Sequence, residues 1–175
     1  SHAAVLLFPE PNVRPVSVNV QRQVVNPGSD EYVDAAWQLK ERIRKEEGVL
    51  RQRRNFFESA YERSTVYLFA DRTNKRLVGF AAVRRDGYIL FLAVDQEYRG
   101  QGFGERLVAN VAEEHGSVTC HARTTNRDAL DFYRSLGFTV KRRIDNYYED
   151  GGDAFYLQLG EDAGIRDRLA NLLSR

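Results

Sequence analysis

The stretch Phe91-Leu-Ala-Val-Asp-Gln-Glu-Tyr-Arg-Gly-Gln-Gly-Phe-Gly-Glu-Arg-Leu-Val108 constrains the fold more than any other part of the chain. An apolar strand enters a loop with glycines at 100, 102 and 104, and the loop opens a helix marked by Leu107, Val108, Val111 and Ala112. Glycine removes the side chain where backbone must come close to a ligand, and it reaches left-handed conformations at little steric cost. The first amides of the following helix, with the helix dipole, then form an anion site. Taken alone, the loop is equally consistent with a plain tight turn. It is a poor dinucleotide fingerprint, because an antiparallel meander precedes it rather than a βαβ unit, and no Gly-Lys-Ser/Thr follows to make a P-loop.

The flanking pattern gives the frame. Val16, Val18 and Val20 alternate with polar residues, which predicts a half-buried strand over 16–25. Turn residues over 26–30 lead into a helix over 31–47 with Ala35, Ala36, Leu39 and Ile43 at helical spacing. A loop over 48–54 precedes a shorter helix over 55–62, and strands follow at 65–71, 77–85 and 88–94. Beyond the glycine loop come a strand over 118–123 and a helix whose Ala129, Phe132, Tyr133 and Leu136 share one face. Thr125 and Asp128 resemble a capping box at its start, and Gly137 supplies a left-handed stop. Strands over 138–148 and 155–159 flank a turn over 149–153, and an amphipathic tail helix covers 161–174. The order β-α-α-β-β-β-α-β-α-β-β implies an α/β domain with a mixed sheet and helices on both faces. Residues 16–159 read as that domain, 160–175 as a tail, and 1–15 as an extension whose Ser1-His2 resembles the scar of a purification tag.

Composition removes several function classes. Lys and Arg total 26 against 25 acidic residues, so no chain-wide basic field exists for gripping nucleic acid, and no specific nucleic-acid binding is expected. One cysteine excludes an intramolecular disulfide and a Cys-built zinc site, and no metal is expected. The longest apolar run, Ala3 to Phe8, is far too short to span a membrane, and Pro9 and Pro11 end it. The expectation is a cytoplasmic protein without a signal peptide.

Two motifs together carry a resemblance. Arg99-x-x-Gly102-x-Gly104 is similar to the pyrophosphate-binding motif of GNAT acetyltransferases, and Asn126-x-x-Ala129-x-x-Phe132-Tyr133-x-x-x-Gly137-Phe138 is similar to their second signature. The likeness covers roughly residues 16–159 and implies the GNAT fold, with a mostly antiparallel sheet, and acetyl-CoA as co-substrate. It implies that amides of Arg99, Gly100, Gln101, Gly102, Phe103 and Gly104 hold the pyrophosphate. Backbone of Leu92, Ala93 and Val94 would pair with the pantetheine arm as an added strand does, with Val94 helping to polarise the thioester carbonyl. Asn126 would be a polar contact to the arm. The nearer resemblance is to N-terminal protein acetyltransferases, including the type that acts on a ribosomal-protein alanine, which implies a protein or peptide N-terminus as substrate and a link to the ribosome. On that likeness His121 is the base, Tyr88 its helper and Tyr133 the general acid. Phe56 and Phe57 belong to the segment over the substrate, and Tyr147 and Tyr148 line the peptide entrance.

The chemistry suits these residue types. An amine attacks a thioester only as the free base, and an α-amino group, with pKa ~8, loses its proton far more readily than lysine at ~10.4. An imidazole, ~6.5 when unperturbed, can take that proton directly or through a water. Cys120 and His121 adjoin on a strand, so their side chains should face opposite ways. Each residue also has a plainer role open to it: a lone histidine is more often packed or exposed than catalytic, and Tyr133 lies on an apolar stripe. The basic group Arg42, Arg44, Lys45, Arg51, Arg53 and Arg54 reads as a solvated face, with ribosomal RNA or acidic peptides as further readings. Acetylation of lysine or a small amine, and a non-catalytic acetyl-CoA-binding module, remain the rival functions.

Overall fold

Alternating apolar residues and short polar turns fold the middle of the chain into a meander of β3 (Thr65–Asp71), β4 (Arg76–Val83) and β5 (Ile89–Val94). In the computed structural model, which describes residues 3–4 and 19–174, β2 (Val20–Val25) adds antiparallel to β3, and β1 (Ala3–Ala4) adds parallel to β5. The strand order is β1-β5-β4-β3-β2. The part of the expected first strand before residue 19 lies outside the described residues, as does most of the N-terminal extension.

Every residue of β4 after Arg76 is buried, because both of its faces are covered. Phe80 and Ala82 pack with Leu39, Ile43, Phe57 and Tyr61 from α1 (Val33–Glu47) and α2 (Arg54–Glu62). Val78, Ala81 and Val83 pack with Phe103, Leu107 and Val111 from α3 (Phe103–Glu114). A strand sandwiched in this way reads as a continuous apolar run rather than an alternation.

The second half forms its own antiparallel sheet, ordered β6-β8-β7, from β6 (Thr119–Arg123), β7 (Phe138–Ile144) and β8 (Ala154–Leu159). The expected single sheet is therefore split. β5 and β6 are joined by a parallel bridge at Tyr88 and Thr119, reinforced by the Thr119 amide donating to the Gly87 carbonyl at 3.2 Å. A Cβ at Gly87, φ +84°, would sit 1.8 Å from the Ser117 carbonyl oxygen, so only glycine permits this approach. Beyond that joint the described residues of β5 and β6 share no further bridge.

Two local expectations, the end of β7 and the cap of α4, are corrected. β7 ends at Ile144, not Tyr148, because the chain turns at Asn146, φ +53°, and Tyr147 and Tyr148 sit in the turn region. The start of α4 (Arg127–Ser135) is capped by Asn126, whose side-chain oxygen accepts from the Ala129 amide at 3.2 Å, so Thr125 and Asp128 form no capping box. The tail forms α5 (Ala163–Leu173), and it is tied to α3: Arg166 donates to the carbonyls of Ala112, His115 and Gly116 at the end of that helix.

Candidate active site

Tyr88 and His121 meet where the two sheets join. The Tyr88 hydroxyl and His121 Nδ1 lie 2.5 Å apart in a hydrogen bond, with both residues buried. Tyr88 immediately precedes β5 and His121 lies two residues past the Thr119 bridge, so the joint itself sets the pair. Tyr147 stacks on the imidazole, with ring centroids 4.3 Å apart and planes 13° from parallel. Tyr156, opposite His121 in the β6–β8 register, closes the other side at 5.0 Å. Burial, helped by cationic neighbours that include Arg142 and Arg84, lowers the His121 pKa to about 4. The imidazole is therefore neutral at pH 7 and able to accept a proton.

These groups open into a pocket of about 820 Å³. Its walls are Arg51, Gln52, Arg53 and Phe56 from the α1–α2 connection and α2, Arg84, Tyr88, Leu90 and Phe91 from the β4–β5 hairpin, and the His121–Tyr147–Tyr148 side of the second sheet. Phe56 is 55% exposed and lines the pocket. Phe57 does not. It is fully buried among Trp37, Tyr61, Phe80 and Phe91, because a 100° turn per helical residue sends it to the inner face of α2 while Phe56 points out. Phe57 is thus a core residue rather than a substrate contact. Tyr148 does line the pocket, under the Arg123 guanidinium at 4.0 Å, and burial pushes its pKa up. The α1–α2 loop is pinned from behind by Lys40, which is buried, donates to the Gln52 carbonyl and has its pKa lowered to about 8 by burial.

The other end of β5 is built from backbone. Gly100 and Gly102 have φ of +75° and +87°, and Gly102 is the N-cap of α3. A Cβ on Gly102 would meet nothing within 4 Å, so the surface there is open. The amides of the first turn of α3, at Phe103, Gly104 and Glu105, have no acceptor inside the helix and carry its positive dipole end. The Arg99 side chain is not part of this anion cradle. It donates to the Val94 carbonyl at 3.0 Å and grips Glu47 in a two-pronged ion pair at 2.7 and 2.6 Å, while its amide turns back to Gln96. Arg99 holds the bend after β5 rather than facing a ligand.

Between the two ends runs the edge of β5 on which β1 pairs. Leu92 and Ala93 accept an added strand there, since Ala3 and Ala4 pair with them in parallel. Tyr133 stands behind β6, wholly buried, with burial first and then the Cys120 thiol raising its pKa well above 10. Cys120 belongs to the same core cluster, whereas His121 faces the pocket, so β6 presents the two residues to opposite sides. Among the described residues no group of acids, histidines and cysteine could hold a metal ion, and no helix is long and apolar enough to cross a membrane.

Sequence reasoning did not single out Arg84, Arg123, Arg142 or Tyr156, which also line the pocket. For Arg123, Arg142 and Tyr156 the signal is a cross-strand one, invisible until the pairing of β8 with β6 and β7 is known, and Arg84 is brought in by the β4–β5 hairpin.

The sequence model described as an acetyltransferase (GNAT) domain matches residues 62–140, which include β3 to β5, the glycine loop, α3, β6 and α4. N-alpha-acetyltransferase 30 of Xenopus laevis is 41% identical over 80 residues, 43% of this chain, and the chain spans 29% of that relative's length. N-alpha-acetyltransferase 30 of Schizosaccharomyces pombe is 32% identical over 102 residues, covering 51% of this chain and 68% of the relative. Among solved structures, Arabidopsis thaliana Naa50, in complex with the bisubstrate analogue CoA-Ac-MVNAL, superposes with a TM-score of 0.60 at 25% identity, covering 82% of this chain and 99% of that one. With a relative 32% identical and covered over 68% of its length, and the acetyltransferase domain matched over residues 62–140, the chain belongs to the GNAT acetyltransferase family.

Proposed function

We propose that the protein transfers the acetyl group of acetyl-CoA directly to the α-amine of a protein or peptide N-terminus. The observation that carries this reading is the arrangement along β5: a backbone anion cradle at one end, a Tyr88–His121 pair in a pocket at the other, and a strand-pairing edge between them. Six strand residues span about 20 Å, a length suited to a pantetheine arm. Gly100 to Gly104 would hold the pyrophosphate, Leu92 to Val94 the arm in place of Ala3–Ala4, and Asn126 the approach to the arm beside the α4 cap. Acetyl-CoA supplies the activated acetyl as a thioester.

The chain's residues then manage protons. A free α-amine in the pocket becomes strongly acidic as its new bond to carbon forms, so even a weak base suffices to take its proton. The Tyr88 hydroxyl accepts that proton, directly or through a water, and passes its own to His121 Nδ1 across the 2.5 Å bond. Tyr133, kept protonated by burial, donates to the departing sulfur. Tyr147, Tyr148 and Phe56 frame the peptide entrance. The reading includes cytoplasmic proteins, ribosomal ones among them, as substrates.

The test is CoA release from acetyl-CoA with matched peptides carrying free or blocked N-termini, each with and without an internal lysine. Turnover confined to free N-termini is expected; labelling of lysine alone would overturn the reading.

A further inference from the structure

The pocket that receives the amine is strongly basic. Five arginines line it, Arg51, Arg53, Arg84, Arg123 and Arg142, against two acids, Glu149 and Asp150. Three of the arginines have carboxylates of their own. Arg51 and Arg123 share Asp150 at 2.8 and 3.0 Å, and Arg84 is paired with Asp86 at 2.6 Å. Arg142 instead lays its guanidinium over the Tyr156 ring, 5.1 Å from its centroid, and Arg53 stands at the N-cap of α2. Neither makes an ion pair among the described residues.

Register places Arg142 relative to the chemistry. His121 is opposite Tyr156 on one side of β8, and Arg142 is opposite Tyr156 on the other, so the three residues form one row across the sheet. Adjacent strands are about 4.8 Å apart, which sets Arg142 roughly 10 Å from His121 along that row. An extended peptide advances about 3.3 Å per residue. With its amine at Tyr88 and His121, its second or third side chain falls within reach of the Arg142 guanidinium. Arg53 lines the same pocket from the α1–α2 side. A cleft lined by one sign of charge also focuses its field onto whatever enters.

We infer that the preferred substrate carries an acidic side chain at its second or third residue, bound by Arg142 together with Arg53. The inference rests on the N-terminal reading above and names its substrate class. A basic residue at those positions is disfavoured by the same charges, so the pocket selects by repulsion as well as attraction.

The experiment uses peptides with free N-termini, identical except for Glu, Gln or Lys at positions two and three. Two quantities are read for each: kcat/KM with acetyl-CoA, and the Kd for the protein loaded with CoA. The order Glu, Gln, Lys is expected in both, with on the order of tenfold between Glu and Lys at low salt and a smaller ratio at high salt. Arg142→Glu should invert the order, and Arg53→Glu, on an independent element, should narrow it, so the test survives if one variant fails to fold. Turnover of all three peptides without a charge order would overturn the inference and leave the N-terminal reading standing. Binding in the order Glu, Gln, Lys with no turnover of any would do the reverse.

Discussion

At the C-terminal end of β5 the chain offers a ligand its backbone: Gly100 and Gly102 with positive φ, then the first amides of α3. At the N-terminal end it offers side chains, Tyr88, His121, Tyr147 and Arg142, drawn from separate elements and brought together only by the folding of two sheets. A backbone cradle is local, tolerant of side-chain change and suited to a cofactor shared by many relatives. A side-chain pocket is non-local and can be retuned one residue at a time. The difference separates what binds the common donor from what chooses the acceptor.

The largest effect that could break this division is His121→Ala. Loss of the proton acceptor should lower kcat about 10²–10³-fold while the Kd for acetyl-CoA, measured by calorimetry, stays unchanged. A matching loss of acetyl-CoA binding would mean the two ends are not separate. Next come neighbours on α2 with opposite destinies. Phe57→Ala should cost roughly 3–5 kcal/mol of stability in a denaturant titration. Phe56→Ala should move stability by less than about 0.5 kcal/mol and instead raise the peptide KM severalfold. Gly102→Val probes the backbone end. A Cβ there meets no protein atom within 4 Å, so the side chain would stand in the space proposed for the pyrophosphate, and a roughly tenfold weaker Kd for acetyl-CoA is expected with the peptide KM unchanged.

The gentlest probe is pH. With His121 held near pKa 4, kcat/KM should rise toward the α-amine value of ~8 and show no inflection near 6.5. Stability carries the other signature. Between pH 6.5 and 4 the unfolded chain binds a proton at this histidine that the folded chain refuses, so stability falls as the pH drops through that window. His121→Gln should remove that part of the slope in urea melts at graded pH.

How far the sequence could be read follows the same division. The strand, glycine loop and helix around Val94 to Gly104 were legible because their chemistry is contiguous and periodic. Sites built on one strand–turn–helix keep their order in the sequence. The Tyr88–His121 pair came from family resemblance, since nothing local across a separation of 33 positions says that a hydroxyl will meet an imidazole. Phe57 was misread because two adjacent aromatics on a helix look alike until its buried face is known. Tyr148 was assigned to a strand that a positive φ at Asn146 cuts short. Arg142 could not be found at all, because its place depends on the β7–β8 register, which contains an irregularity between Val140 and Arg142. Arg99 matched its motif in sequence, yet its side chain serves the bend and Glu47.

The most direct measurement of the central claim, that donor and acceptor meet in one cleft without a covalent intermediate, is initial-rate kinetics with acetyl-CoA and a free-N-terminus peptide both varied. Cys120, the one thiol, lies buried on the core side of β6 and away from the pocket. Direct transfer predicts intersecting double-reciprocal lines and no acetylated protein by mass spectrometry when peptide is omitted. Parallel lines, with an acetyl group captured on the protein and then passed to peptide, would contradict it.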